Sequence, residues 1–166
     1  MKNNITLIGM PGAGKSTVGV VLAKVMGYRF VDSDLVIQEK TGKLLSEIIE
    51  EKGTEGFLEV EDRINAGLIC EKSVIATGGS AVYCKNAMEH LKEISTVIYL
   101  KLPYERVEKR LGNLKDRGVA LKEGQTLKDL YEERCPLYEK YADVVVEADT
   151  TSVEGCMRRI VESIKE

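Results

Sequence analysis

A chain of 166 residues, 43% hydrophobic and 31% charged, has the makeup of a single soluble globular domain with a sizeable core. Its net charge of −3 argues against a sequence-independent grip on nucleic acid or on an anionic membrane surface. No apolar run approaches the roughly 20 residues that a membrane span needs, and the apolar run near the N-terminus is too short for a secretory signal, so a cytoplasmic protein is expected.

In chain order, Ile5 to Ile8 is a short apolar run stopped by glycine, which predicts a buried strand. Ser16 to Met26 carries apolar residues at helical spacing and ends before Gly27. "YRFVD" predicts a second strand ending in acids. Val36 to Glu51 and Glu55 to Glu71 predict helices separated at Lys52-Gly53. "SVIAT" is a third strand, stopped by Gly78-Gly79, and Lys85 to Glu93 is helical. "STVIYLKL" is a fourth strand, followed by a helix from Pro103 to Leu111 whose proline suits the first turn. Gly112 to Gly124 is polar, basic and glycine-punctuated, as a mobile segment would be. Thr126 to Tyr141 is helical with Pro136 as an irregularity, "DVVVEA" is a fifth strand, and Ser152 to Lys165 closes the chain as a helix. Strands alternating with helices predict an α/β fold, a parallel sheet covered on both faces. Ligands on such sheets gather at the carboxyl ends of the strands. Here those ends carry Gly9, Asp32 and Asp34, Gly78 and Gly79, and Glu147.

Cys70, Cys84, Cys135 and Cys156 form no C-x-x-C pair, and His90 is the only histidine, so neither a structural zinc site nor a disulfide framework is expected. The cysteines read as small apolar packing groups and His90 as a surface or helix-end residue.

The segment Gly9-Met-Pro-Gly-Ala-Gly14-Lys15-Ser16 fits the phosphate-binding pattern G-x-x-x-x-G-K-[ST] at every fixed position. Small residues at Gly12, Ala13 and Gly14 let backbone N–H groups converge on phosphate oxygens, and the helix that follows offers its positive end through Ser16 and Thr17. Lys15, on the loop, is expected to neutralise the transferring phosphate, and Ser16 to ligate Mg²⁺. A nucleotide site alone fits a switch GTPase, a motor ATPase or a small-molecule kinase. The guanine-reading N-K-x-D segment is missing, and a motor usually needs more chain or an assembly. A compact domain with a basic, glycine-bounded segment late in the chain fits a kinase with a closing lid over 112–124.

"FVDSDLVIQEKTG", taken with the phosphate loop, resembles the shikimate kinases, nucleoside-monophosphate-kinase-like P-loop proteins, and the likeness runs along nearly the whole chain. The resemblance implies a three-layer α/β/α fold of one domain, 1–166, with a five-stranded parallel sheet in order 2-3-1-4-5, substrate-binding helices at about 33–62 and the lid. It implies ATP and Mg²⁺ as cofactors and a hydroxyl-bearing acceptor, shikimate preferred; a monomer with no nucleic-acid or membrane partner is expected. It places Asp32 beside the magnesium, Asp34 on the acceptor hydroxyls as base or orienter, Arg117 on the transferring phosphate and Arg110 near the adenine. Phe57, Leu58, Glu61, Gly78, Gly79 and Arg134 fall at its acceptor positions, with Arg134, from "ERCPLYEKYAD", on the acceptor carboxylate.

Three residues depart from the family pattern. Leu58 stands where the family has an arginine that forms half of the carboxylate clamp. Ser80 ends a turn that is otherwise all glycine, and the lid reads "RGVAL" with Gly118 in place of a proline. Losing one charge-assisted hydrogen bond costs roughly 1.5–3 kcal/mol, a weaker hold on a carboxylate by roughly tenfold to hundredfold. The chain therefore reads either as a shikimate kinase with a weakened clamp, as a kinase of another hydroxylated metabolite such as a hydroxy-amino acid whose ammonium meets Glu61, or as a catalytically weak ATP-binding module. Arg63 is a poor replacement, because five residues turn it well round the helix from position 58.

Overall fold

The computed structural model describes residues 2–111, 121–148 and 152–166. Five strands, β1 (Asn4–Ile8), β2 (Arg29–Asp32), β3 (Ser73–Ala76), β4 (Ser95–Lys101) and β5 (Val144–Glu147), form one parallel sheet in the order β2-β3-β1-β4-β5. All five strand expectations hold to within a residue or two. Successive strand residues point to opposite faces, yet Leu7 and Ile8 are both fully buried, as are Val97 and Ile98. Both faces are therefore covered, which is the three-layer α/β/α arrangement. At the far end of the sheet Asn4 acts as a clamp. Its amide donates to the carbonyls of Cys70 and Ile94, and its side-chain oxygen accepts from the Ser73 N–H.

The helices are α1 (Lys15–Met26), α2 (Ser33–Thr41), α3 (Leu45–Ala66), α4 (Lys85–Ile94), α5 (Tyr104–Leu111), α6 (Leu127–Tyr141) and α7 (Val153–Lys165). Three sequence expectations need correction. The run Val36 to Glu51 is not one helix, because α2 ends at Gly42 and a short turn leads into Leu45. The second run stops at Ala66, capped by Gly67, well before Glu71. The expected break at Gly53 is present: its φ of 72° interrupts the helical path within α3. Around Pro136, α6 is continuous. Thr126 starts that helix by accepting from the Asp129 N–H, while the Asp129 carboxylate accepts from the Thr126 N–H. His90 sits within α4, its Nε2 2.7 Å from the Leu68 carbonyl.

α2 and α3 carry a core of their own. Ile37, Ile48, Phe57, Val60 and Ile64 cluster apart from the main core that wraps the sheet. Strand register then positions everything that follows. Asp32 lies opposite Ala76, and Ala76 opposite Leu7, so β1, β2 and β3 end side by side. The loops that leave those three ends therefore face one another.

Candidate active site

A cavity of about 590 Å³ opens where those loops meet. Its donor end is lined by Gly12, Gly14, Lys15, Ser16 and Thr17. Gly14 caps α1 with φ 90°, a conformation costly for any residue with a Cβ, and this turns the loop so that the helix N-terminus faces the cavity. Ser16 and Thr17 are exposed on that first turn, whereas Ala13 is 3% exposed and packs beneath the loop. Lys15 is not the exposed loop residue that its glycine surroundings suggest. It is 8% exposed, and its Nζ donates to the carbonyls of Gly9 at 2.6 Å and Met10 at 2.8 Å. Burial pulls its amine down to about 7, opposed by the Asp34 charge. The loop thus curls around its own cation. Arg110 lies outside the cavity lining and donates to the Gly12 carbonyl at 3.0 Å, which ties α5 to the back of the phosphate loop.

The acceptor end is lined by Asp34, Phe57, Gly78, Gly79 and Arg134. Asp32 ends β2 and caps α2, its Oδ1 accepting from the Asp34 N–H at 2.9 Å. That cap fixes Asp34 in the first turn, pointing into the cavity. Burial, then the neighbouring Asp32 charge, raises the Asp34 carboxyl above its ordinary value. Arg134 is 4% exposed, and among the described residues no carboxylate forms an ion pair with it. Its guanidinium lies over the Tyr83 ring, 5.3 Å from the centroid, and the Tyr83 hydroxyl donates to Glu133. Gly79 is held by the Tyr138 hydroxyl, which donates to its carbonyl at 2.7 Å.

Gly79 has no room for a side chain. A Cβ there would lie 2.7 Å from Pro11 Cδ and 2.8 Å from Arg134 Nη1. Gly79→Ala is therefore expected to push Arg134 out of place. Acceptor KM should rise several-fold with a smaller change in ATP KM, and steady-state kinetics against both substrates will check it.

Two residues expected at the acceptor site do not line the cavity. Leu58 is half-buried and packs against the α2–α3 core, which is the physical consequence of its apolar side chain. Glu61 is fully buried behind Gly78. Arg63 is exposed on α3, so it does not replace the missing charge. Sequence reasoning also missed Leu45 and Ile49, which form an apolar wall of the cavity from one face of α3, whereas Ser80, singled out as a departure, lies at its edge. Their spacing of four residues is a helical-face signal, but it is legible only once the break at Gly42 is known. The lid arginine Arg117, and residues 112–120 of the lid, lie outside the described residues.

Nucleotide and magnesium fit the residues present. A positive helix end, a converging glycine loop and a desolvated lysine form a cradle for polyphosphate. One hydroxyl, from Ser16, and one carboxylate, from Asp32, is a donor set for a hard cation that keeps much of its water and shares phosphate oxygens. No group of three or more acidic, histidine or cysteine residues that would enclose a metal by itself occurs among the described residues.

A family model described as "Shikimate kinase" matches residues 11–165. The chain belongs to the shikimate kinase family. It is accordingly an ATP- and Mg²⁺-dependent phosphotransferase. A shikimate kinase from Vibrio parahaemolyticus is 38% identical, over 99% of this chain and 98% of that protein. One from Haemophilus influenzae is 38% identical over 98% of this chain and 93% of its own. Among solved structures, shikimate kinase from Acinetobacter baumannii in complex with shikimate superposes with a TM-score of 0.88 at 34% identity, covering 99% of this chain and 93% of that one. Shikimate kinase from Aquifex aeolicus gives 0.84 at 30% identity over 98% and 96%. No helix among the described residues is long and apolar enough to cross a membrane.

Proposed function

We propose that this chain phosphorylates a hydroxyl of shikimate with ATP, and that Arg134 holds the shikimate carboxylate. The observation that carries this reading is Arg134 itself. A guanidinium 4% exposed, facing a cavity, with no carboxylate paired to it among the described residues, is a costly arrangement unless an anion completes it. The relative from Acinetobacter baumannii, crystallised with shikimate, supports the same acceptor. A ligand whose ammonium meets Glu61 is disfavoured, because Glu61 does not reach the cavity.

In this reading the acceptor hydroxyl attacks the γ-phosphorus, the bond to the bridging oxygen of ADP breaks, and the hydroxyl proton passes to Asp34 or to water. The raised carboxyl of Asp34 is a better base than an ordinary aspartate. Gly12, Gly14 and Thr17 bind and orient the phosphates, and Lys15 offsets charge developing on the transferred group. When bound on Ser16 and Asp32, Mg²⁺ neutralises phosphate charge. A lid over 112–124, with Arg117 on the phosphate, belongs to the proposal, as does Arg110 near the nucleotide. Donor and acceptor ends both come from this one chain, which is what a monomer acting on a small molecule requires.

The test is ADP release from Mg-ATP with shikimate and with its methyl ester. Turnover is expected with shikimate and a much higher KM with the ester. Equal use of the two would overturn the Arg134–carboxylate pairing.

A further inference from the structure

Glu61 is 0% exposed and is not part of the machinery described above. Its Oε1 accepts a hydrogen bond from Ser80 Oγ at 2.7 Å, and the Cys84 thiol lies 3.8 Å from the same oxygen. Its Oε2 is buried without a hydrogen-bond partner. No Lys or Arg among the described residues forms an ion pair with it, since position 58, one helical turn earlier on the same face, is an apolar leucine. An ionised carboxylate in this setting would be a buried, uncompensated charge.

The surroundings give this acid a position of leverage. A Cβ on Gly78 would lie 2.8 Å from Asp34 Oδ1 and 3.3 Å from Glu61 Oε2, so the Gly78 backbone is wedged between the two carboxyls. Gly78 and Gly79 face the acceptor, while Ser80, the next residue, is anchored to Glu61. The groups that face Glu61 are Ser80 from the turn, Cys84 ahead of α4, Asp34 from α2 and Arg134 from α6.

We propose that Glu61, carried as the neutral acid and bound to Ser80, is a positioning residue that sets the Gly78–Ser80 turn against the acceptor. This rests on the acceptor reading above, in which the ligand is a carboxylate. Burial, first among the causes, and the Asp34 charge hold the Glu61 carboxyl up at about 7, against the pull of Ser80 and Arg134. Deprotonation places a second negative charge behind Gly78, beside a bound anion. At a separation on the order of 10 Å and an intermediate dielectric, that charge weakens acceptor binding about three- to fivefold. The nucleotide, at the other end of the cavity, feels it less.

The experiment measures KM for shikimate and for ATP from pH 6 to 8.5 in the wild type, Glu61→Gln and Ser80→Ala, with melting temperatures of all three at pH 5 and pH 8.5. Wild-type shikimate KM is expected to rise about three- to fivefold more across the range than that of Glu61→Gln, whereas the ATP KM, which answers to the Lys15 amine near 7, should change alike in the two proteins. Glu61→Gln should keep only the change set by Lys15 and Asp34, which both proteins share. Ser80→Ala removes both the bond through which Glu61 sets the turn and the pull that holds the carboxyl down, so shikimate KM should already be raised at pH 6 and its further rise should move to higher pH. The melting comparison does not depend on turnover. The folded-state value lies above the unfolded one, so the penalty for ionising Glu61 appears as pH rises from about 4.5 to about 7 and persists above. Glu61→Gln should therefore melt with the wild type at pH 5 and above it at pH 8.5. If Glu61→Gln retains the wild-type pH profile, or gains no melting advantage at pH 8.5, the proposal is overturned. If Glu61→Gln does not fold, an unmoved profile in Ser80→Ala overturns it instead. If the wild type does not turn over shikimate at all, the acceptor reading fails, and the melting comparison alone decides the protonation of Glu61.

Discussion

Lys15→Met is expected to lower kcat by about 10²–10³-fold while the protein stays folded. The lysine is buried, and methionine keeps most of its apolar stem, so the change removes the cation and little packing. The amine is shared between the Gly9 and Met10 carbonyls. Those carbonyls cannot stabilise a developing negative charge, but they hold the amine where a phosphate will displace them. The arriving phosphate charge also favours the protonated amine, opposing the burial that lowers it. Ground-state ATP binding should change less than kcat, because charge on the transferring oxygens grows toward the transition state. Single-turnover rates with saturating Mg-ATP, with circular dichroism to establish folding, will check this. A folded Lys15→Met enzyme with near-normal kcat would remove the lysine from the chemistry.

Much of this site is legible from the chain because the residues that build it are local. Gly9 to Ser16 is a contiguous motif between a strand and a helix, and Asp32 and Asp34 follow a strand end directly. Parallel register then brings those ends together without any further signal. Strand order is different. Periodicity predicts five strands but does not rank them, and the order 2-3-1-4-5 comes from family resemblance, matched by the structure. What the sequence hides falls into two kinds. Apolar spacing runs smoothly across Gly42, so α2 and α3 merge into one pattern, and the wall made by Leu45 and Ile49 disappears with the boundary. The bond between Ser80 and Glu61 joins residues 19 apart, and the Lys15 amine folds back on carbonyls of its own loop. Neither is encoded in spacing. Each follows from burying an ionisable group that then takes the partners within reach.

Leu58→Arg is expected to lower shikimate KM by roughly tenfold to hundredfold, the value of restoring one charge-assisted hydrogen bond of roughly 1.5–3 kcal/mol. Leu58 sits at the edge of the α2–α3 core and next to Phe57, which lines the cavity. Glu61 lies three residues further along α3, a spacing at which helical side chains meet. A guanidinium introduced by Leu58→Arg supplies the counter-charge that Glu61 lacks, so the acid should ionise, orient the guanidinium and no longer depend on Ser80. Two consequences separate this from a general gain in positive charge. The part of the rise of shikimate KM with pH that Glu61→Gln abolishes should vanish in Leu58→Arg too, because the Glu61 carboxyl is held ionised across the range. Leu58→Met, which keeps the apolar contact without the charge, should leave KM near the wild-type value. The same kinetics with Arg134→Lys, made in the wild type and in Leu58→Arg, tests whether the two guanidinium groups share one carboxylate. If they do, Arg134→Lys should cost less in the Leu58→Arg background than in the wild type. An unchanged or raised KM in a folded Leu58→Arg protein would mean that the carboxylate lies beyond reach of position 58. Arg134 would then be the whole of the anion site rather than half of a weakened clamp.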